Sequence, residues 1–145
     1  MEAIIADQIW QKAGVYYVRT QATVMGDGVP LDHEFDGKDR PDTLYSLVLD
    51  GIRPIGTCRL NRVDDATAKI ERVCVLEEYR KRGAGRLAVQ KAEEYFREHG
   101  YQRVVITSKE SAVGFYEKLG YTADYSVDCR SKHRKLIYMK REIVE

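Results

Sequence analysis

Short apolar runs separated by polar turns predict strands in the first half of the chain. Residues 1–6 form a candidate edge strand, and two further apolar runs flank the dipeptide Asp50-Gly51. This dipeptide is typical of a tight hairpin turn. Pro54 has no N–H to donate, so the second strand of the hairpin is predicted to begin pairing only near Ile55.

A third strand is predicted over residues 69–75, with the sequence KIERVCV. Successive side chains of a strand point to opposite faces of the sheet. Strict alternation would place Glu71 on one face with Val73 and Val75. The other face would then carry Ile70, Arg72 and Cys74.

Apolar residues recur with helical spacing in three other segments. Segment 8–25 contains VYYV, a run with strand propensity, but its apolar positions recur every three or four residues, which favours a helix. A second helix is predicted over residues 85–99, stopped by Gly100. A third contains residues 112–119 and ends at Gly120.

The order of the elements predicts the fold class. Residues 103–107 have the composition of a short buried strand, and a second hairpin is predicted after Gly120. The order is hairpin, strand, helix, strand, helix, hairpin, which predicts an α/β protein (α+β in some schemes) with helices packed on a mixed sheet. With 145 residues and no Gly/Ser-rich linker, the chain is expected to form one domain, residues 1–145.

Composition limits the classes of partner. The formal net charge is +1, which predicts no nucleic acid or membrane surface as partner, and no apolar run is long enough to span a bilayer. Three cysteines lie far apart and no signal-peptide pattern is visible, which favours a reducing cytoplasm. None of the three histidines has metal-ligand spacing to a cysteine, so no metal site is predicted.

The most basic segment lies where the third strand leads into a helix. It contains Gly83 and Gly85, with basic residues at Arg80, Lys81, Arg82 and Arg86. A helix N-terminus offers free N–H groups and partial positive charge to a phosphate, and glycine lets the backbone approach it. The pattern predicts a diphosphate-binding turn. The alternative is a solvated helix start whose glycines serve turn geometry alone.

Two other phosphate-binding motifs fit less well. A P-loop requires GxxxxGK[ST], and neither its lysine nor its hydroxyl residue is present. The dinucleotide fingerprint G-x-G-x-x-G/A is matched by Gly83, Gly85 and Ala88, with Glu110 further along the chain. In that fold the first glycine follows its strand almost directly, whereas seven residues separate Val75 from Gly83. A dinucleotide-binding protein is therefore the weaker alternative.

The segment RKRGAG, Arg80 to Gly85, matches the signature [RQ]-x-x-G-x-[GA] of the GNAT superfamily of acyl-CoA N-acyltransferases. The run VCV resembles the family's fourth strand, and FYEKLGY, Phe115 to Tyr121, resembles its usual ending. VPLDHEFD and IGTCRL resemble a group of small bacterial members. The resemblance covers roughly residues 15–142 and implies a three-layer αβα fold. Its mixed, mostly antiparallel sheet would have strands four and five splayed apart.

The resemblance implies that acetyl-CoA is the co-substrate and binds between these two strands. The backbone of Val73, Cys74 and Val75 would pair with the pantetheine arm. Because such contacts use backbone groups, Cys74 could instead be a small buried apolar residue. The glycine loop would bind the diphosphate, which assigns Arg80, Lys81, Arg82, Gly83, Ala84, Gly85 and Arg86.

The resemblance also assigns Tyr116 to the departing thiolate of coenzyme A. A phenol is a weaker acid than a thiol, so a hydrogen bond with late proton transfer is expected. Glu71 is the candidate base, acting through water. The alternatives are a core Tyr116 and a Glu71 paired with an arginine. The family's usual strand-four glutamate position falls on Lys69, which cannot act as a base when protonated.

The activity implied by the resemblance is that of an N-acetyltransferase. A primary amine of a small molecule or peptide would attack the thioester directly, without an acyl-enzyme. Glu34, Asp36 and Asp39 lie in the region that covers the acceptor and would bind a cationic amine, although a solvated acidic loop is an alternative. A non-catalytic acyl-CoA-binding or sensing module of the same fold is the second function left open. A homodimer is one candidate assembly, because family members often form dimers.

Overall fold

The computed structural model describes residues 1–130 and 135–144. In this part of the chain seven strands form one mixed sheet, in the order β1-β2-β3-β4-β5-β7-β6. Only the β4–β5 pair is parallel. The strands are β1 (Glu2–Ala6), β2 (Leu44–Asp50), β3 (Arg53–Arg62), β4 (Thr67–Val75), β5 (Arg103–Lys109), β6 (Thr122–Ala123) and β7 (Leu136–Glu142).

Helices cover both faces of the sheet. A π-helical segment, Thr20–Met25, directly continues the first helix, and 3₁₀ turns at Glu77–Tyr79 and Glu110–Ala112 precede the last two. The α-helices are α1 (Ile9–Arg19), α2 (Leu31–Glu34), α3 (Ala84–Glu98) and α4 (Val113–Lys118). These elements confirm the helix predicted over residues 8–25.

The two faces of β2 show the layering. Gly14 of α1 lies against Leu47. On the other face, Ala84 of α3 and Val48 both lie next to Gly56. Leu47 and Val48 are consecutive strand residues and point to opposite faces. The larger core lies on the α3 side and includes Ala88, Val89, Ala92 and Phe96 of that helix. A second core under α1 contains Ala6, Val15, Tyr45 and Leu47.

The architecture confirms the predicted α/β class with a mixed, mostly antiparallel sheet. A dinucleotide-binding fold would need a mostly parallel sheet, so that alternative is wrong. The expected late start of β3 is also wrong. Pro54 already pairs with Leu49, because a bulge between Val48 and Leu49 adjusts the register around the proline.

Candidate active site

The parallel pair β4–β5 is short. It is limited to Thr67 with Arg103, Ala68 with Val104, and Lys69 with Val105. Beyond Lys69 the two strands separate, and β5 continues to pair with β7 on its other side. On the side that faces β5, the edge of β4 after Lys69 therefore has no strand partner among the described residues, and the N–H and C=O groups that point to this side can pair with an extended ligand. Val73, Cys74 and Val75 all lie in this unpaired stretch.

A bulge redirects the side chains at this point of β4. Cys74 pairs with Thr57 of β3, but Glu71 pairs with Arg59, so β4 has one extra residue between the two pairs. Arg72 takes up the irregularity with a left-handed φ of 55°. A non-glycine residue in this conformation costs about 1–3 kcal/mol, which surrounding contacts must offset.

The bulge corrects the predicted faces of β4. Thr57 and Arg59 point to the same face of β3, so their partners Cys74 and Glu71 share a face as well. Val75 pairs with Gly56 on the opposite face. The prediction that Glu71 shares a face with Val73 and Val75 is wrong, because it assumed unbroken alternation.

The predicted diphosphate loop lies at the N-terminus of α3. Lys81 and Gly83 have left-handed φ values of 63° and 89°. Gly83 is the N-cap, no side chain caps the helix, and its first turn contains no acidic residue. The N–H groups of Ala84 and Gly85 are consequently left for an external acceptor. These properties fit a diphosphate.

The four basic side chains of the loop are exposed to solvent. Arg80 Nε lies 3.4 Å from the carbonyl oxygen of Val75, and the Arg82 guanidinium lies 5.2 Å from the centre of the Tyr79 ring. The nearby carboxylate of Glu78 is paired with Arg53 instead. The positive charge of the loop is therefore left to attract an anion.

Replacing Gly83 with alanine is expected to lower the free energy of unfolding by about 1 kcal/mol, because a φ of 89° is unfavourable for an L-residue. We also expect weaker binding of acetyl-CoA, since the loop would relax away from this conformation. Gly100→Ala is the matched control, with a φ of 84° at the other end of α3. Urea unfolding and calorimetric titration measure both effects. An equal loss of affinity in the two variants would contradict the assignment.

Tyr116 is 7% exposed, and its ring packs edge-on against those of Phe115 and Tyr121. Its hydroxyl donates to none of the described residues. Burial raises the pKa of this hydroxyl above its ordinary value, so it is protonated at neutral pH and can donate a hydrogen bond. Burial also raises the pKa of the Cys74 thiol to about 12, which makes it a poor nucleophile.

Phe115, which precedes Tyr116 on α4, is 38% exposed. It lies over the glycine loop: a Cβ at Gly85 would be 3.2 Å from Phe115 Cζ. A side chain at Gly85 would therefore make a tight contact with the Phe115 ring, which would have to shift by a few tenths of an ångström. The spacing of apolar residues alone does not reveal this contact.

Glu71 belongs to a group of nine charged residues that we call the charged cluster. Its carboxylates are Glu34, Asp36, Asp39 and Glu71, and its cations are Arg19, Lys38, Arg59, Lys69 and Arg72. The cluster joins α1, the loop around α2, β3 and β4. Arg19 and Arg59 were not predicted as members, because their partners are distant in the sequence.

Two fully buried arginines hold the cluster together. Arg19 binds Glu34 at 2.9 Å and Asp39 at 2.6 Å, and Arg59 binds Asp36 at 2.8 Å and Asp39 at 3.1 Å. The Tyr45 hydroxyl also donates to Asp39, at 2.8 Å. Burial by itself would raise the pKa of Asp39. Hydrogen bonds from Arg19, from the backbone N–H of Asp36 and from Tyr45 nevertheless hold that pKa well below its usual range.

Glu71 is surrounded by cations. Its carboxylate lies 3.4 Å from Arg59, 3.4 Å from Lys38 and 3.8 Å from Lys69, and it also accepts a hydrogen bond from Asn61. Burial opposes ionisation, but the three cations outweigh it and lower the pKa of Glu71. In this environment Glu71 is ionised and is a weak base.

Two of the predicted acceptor carboxylates, Glu34 and Asp36, are also bonded within the cluster. The Glu34 side chain is 6% exposed and pairs with Arg19. Asp36 is 35% exposed, but it pairs with Arg59 and, at 3.0 Å, with Arg72. Both carboxylates therefore belong to the same cluster as Glu71, with their charges already balanced by arginines.

A second buried charged group stabilises α4. Glu93 of α3 is 1% exposed; it accepts a hydrogen bond from the Tyr121 hydroxyl at 2.7 Å and pairs with Arg141 of β7 at 3.0 Å. The backbone N–H of Tyr121 donates to the carbonyl of Tyr116 at 3.1 Å. Glu93 thus helps to fix the end of the helix that carries Tyr116. A glutamate inside the apolar stripe of α3 was the available sequence signal.

Neither a metal centre nor a membrane span is found in the described part of the chain. No group of three or more potential metal-ligand side chains is close enough to hold an ion. No helix there has the length and apolar character needed to cross a membrane.

A mixed sheet that opens between β4 and β5, beside a glycine turn at a helix N-terminus, defines the class of GNAT-fold proteins. The family model for the acetyltransferase (GNAT) family matches residues 9–121. The chain belongs to this family.

Relatives and solved structures agree with this membership. The chain is 32% identical over 121 residues to the uncharacterized N-acetyltransferase YjcF of Bacillus subtilis, which covers 83% of this chain and 85% of the relative. A Lactobacillus plantarum crystal structure, assigned as an N-acetyltransferase, superposes with a TM-score of 0.90 at 28% identity, covering 99% and 98% of the two chains. An aminoglycoside 6'-N-acetyltransferase complexed with coenzyme A has the same fold, with a TM-score of 0.75, 14% identity and 98% of each chain covered. Family and relatives support acetyltransferase activity.

Proposed function

We propose that the protein transfers the acetyl group of acetyl-CoA to a primary amine by direct attack of the amine on the thioester. The observation that carries the proposal is the divergence of β4 from β5 after Lys69, next to the free amides at the start of α3. The solved neighbour with bound coenzyme A has the same fold, which supports the same co-substrate here. The acceptor would be a small molecule or a peptide.

Three parts of the chain have separate roles in the proposed reaction. The unpaired edge of β4 orients the pantetheine arm, and the glycine loop binds the diphosphate. Tyr116 donates a hydrogen bond to the sulfur as the C–S bond breaks, and its proton transfer is completed late because its pKa is raised. No thiolate nucleophile is needed, which agrees with the raised pKa of Cys74.

A non-catalytic acyl-CoA-binding module is the second candidate. Three cations lower the pKa of Glu71, the candidate base, and so make it a weak base. A protein without an effective base would bind acetyl-CoA without transferring its acetyl group. Binding of acetyl-CoA alone would not separate the two functions, but release of coenzyme A in the presence of an amine would.

The test has a binding arm and a turnover arm. Thermal stabilisation is measured with acetyl-CoA, NAD and an oligonucleotide, and thiol release is then followed across a panel of primary amines. We expect stabilisation by acetyl-CoA alone and thiol release with at least one amine. Stabilisation by NAD but not acetyl-CoA would refute the proposal. Acetyl-CoA binding without thiol release for any amine would favour the binding module.

Tyr116→Phe is expected to lower kcat by about 10- to 100-fold, because it removes one hydrogen bond to developing charge. The KM for acetyl-CoA should change little, since the ring still packs against Phe115 and Tyr121. Steady-state thiol release measures both quantities. Tyr95→Phe on the outer part of α3 is the control and should leave kcat unchanged. A Tyr116→Phe enzyme with full turnover would show that this hydroxyl takes no part in the reaction.

A further inference from the structure

The solvent side of the charged cluster is basic. The side chains of Lys38, Arg72 and Lys69 are 54%, 32% and 24% exposed. We call these three residues the basic rim. The carboxylates behind them are nearly covered: Glu34, Asp39 and Glu71 are 6%, 7% and 14% exposed. A molecule approaching Glu71 from solvent therefore meets ammonium and guanidinium groups first.

Asp36 is the one carboxylate of the cluster with comparable exposure, at 35%. Its two oxygens receive hydrogen bonds from both terminal nitrogens of Arg59, at 2.8 and 3.2 Å, and from Arg72 at 3.0 Å. Its charge is thus directed inward, toward a fully buried guanidinium. Asp36 does not offset the positive charge of Lys38 and Lys69.

The cluster is short of negative charge and of hydrogen-bond acceptors. Five cations face four carboxylates in it. The Nε–H of Arg59 is buried and has no acceptor among the described residues. Buried donors normally have partners, so a missing acceptor is unusual in a cluster of this size. The excess of positive charge favours the addition of an anion to this region rather than a cation.

The basic rim lies where β4 leaves β5. Lys69 is the last residue of β4 that pairs with β5, and Arg72 occupies the bulge. The segment predicted to bind pantetheine, residues 73–75, begins at the next position. On the proposed function, this places the rim beside the reacting thioester, on the face of β4 that carries Glu71.

We propose that the acceptor amine carries a carboxylate, as in an amino acid or the C-terminus of a short peptide, and that the basic rim binds this carboxylate. This inference rests on the proposed function for the identity of the reaction, and it replaces the cationic acceptor expected from Glu34 and Asp36. A carboxylate bound to Lys38 and Lys69 would compete with Glu71 for both ammonium groups. Glu71 would then be released from two of its three cations when the acceptor is in place.

The test compares matched probes that differ only in this carboxylate. L-phenylalanine, L-lysine and glycylglycine are titrated into the full chain saturated with coenzyme A, each against its C-terminal amide. Calorimetry measures the dissociation constants. We expect the carboxylate forms to bind about tenfold more tightly than the amides, as for a charge-assisted hydrogen bond.

Two variants locate the effect. The double variant Lys38→Gln, Lys69→Gln should reduce the preference to about twofold or less, since neutral side chains leave only weak hydrogen bonds. Lys91→Gln is the control, because Lys91 is 27% exposed and ion-paired on α3, away from the rim. It should keep the full preference. Thermal unfolding checks that both variants are folded.

Three results would overturn the inference: amides that bind the wild-type protein as tightly as carboxylates, no binding of any carboxylate probe, or a preference that survives in the double variant. The proposed function is tested separately by thiol release. A carboxylate preference without thiol release for any amine would support the anion site and refute acyl transfer. Thiol release without a carboxylate preference would support acyl transfer and refute the anion site.

Discussion

Replacing Arg19 with methionine is expected to lower the free energy of unfolding by about 4 kcal/mol. The Arg19 side chain is fully buried and binds Glu34 and Asp39, which are 6% and 7% exposed. Methionine would fill much of the same space but would leave Glu34 with only Arg72, at 3.8 Å, and Asp39 with only Arg59, at 3.1 Å, as cations among the described residues. Removing one partner of a buried ion pair typically costs about 3–5 kcal/mol. Urea unfolding at neutral pH measures the loss.

The control for this variant is Arg103→Met. Arg103 pairs with Glu142, but the two side chains are 45% and 56% exposed. Exposed pairs contribute about 0–1 kcal/mol, so the change in stability should be small. A similar loss of unfolding free energy in both variants would show that the buried Arg19 pairs stabilise the fold no more than an exposed pair does.

The Arg19→Met variant should also alter the dependence of stability on pH. The pKa of Asp39 in the folded protein is below its ordinary value of about 4, so its carboxylate stabilises the fold above that pH. This contribution is lost as the pH falls toward the folded pKa. Without Arg19 the pKa shift is smaller, and the decline of stability between about pH 5 and pH 2 should be shallower than in the wild type. An unchanged slope would contradict the role given to Arg19.

Glu93→Ala is expected to lower the free energy of unfolding by about 3 kcal/mol. It leaves the Tyr121 hydroxyl buried without an acceptor and Arg141 without its carboxylate. An unsatisfied buried hydroxyl costs about 1–3 kcal/mol, and the lost side-chain packing adds to this. The Arg141 side chain is 31% exposed and can turn toward water, which keeps the total below that for Arg19.

Two neighbouring variants sharpen the Glu93 experiment. Glu94→Ala removes the next carboxylate of α3, which is 55% exposed and pairs with Lys91, and it should change stability little. Glu93→Gln keeps an acceptor for Tyr121 and should cost less than Glu93→Ala. Equal losses for glutamine and alanine would show that the charge, and not the hydrogen bond to Tyr121, is what stabilises this group.

Local patterns were sufficient to predict much of the architecture. The helical spacing of α1 and α3, the Asp50-Gly51 turn and the glycine motif before α3 depend on neighbours within a few residues. The same is true of the sequence around Tyr116. Such signals survive in the folded protein because turn geometry and helix termini are determined by local backbone preferences.

The wrong prediction for the faces of β4 has a long-range cause. The faces of β4 were wrong because Arg72 forms a bulge, and the left-handed φ there coexists with bonds from Arg72 to Glu34 and Asp36. Those partners are 38 and 36 residues away in the chain. Local periodicity carries no information about contacts at that distance.

By itself, the sequence determined the order of the elements, the fold class and the position of the glycine turn before α3, because each depends on short-range periodicity and backbone conformation. The tertiary structure alone decided the electrostatics of the candidate site. It buried Arg19 and Arg59 among carboxylates, surrounded Glu71 with cations and left Lys38, Lys69 and Arg72 toward solvent. The pKa of a carboxylate depends on its burial and on charges a few ångströms away, which only the packing of distant segments establishes.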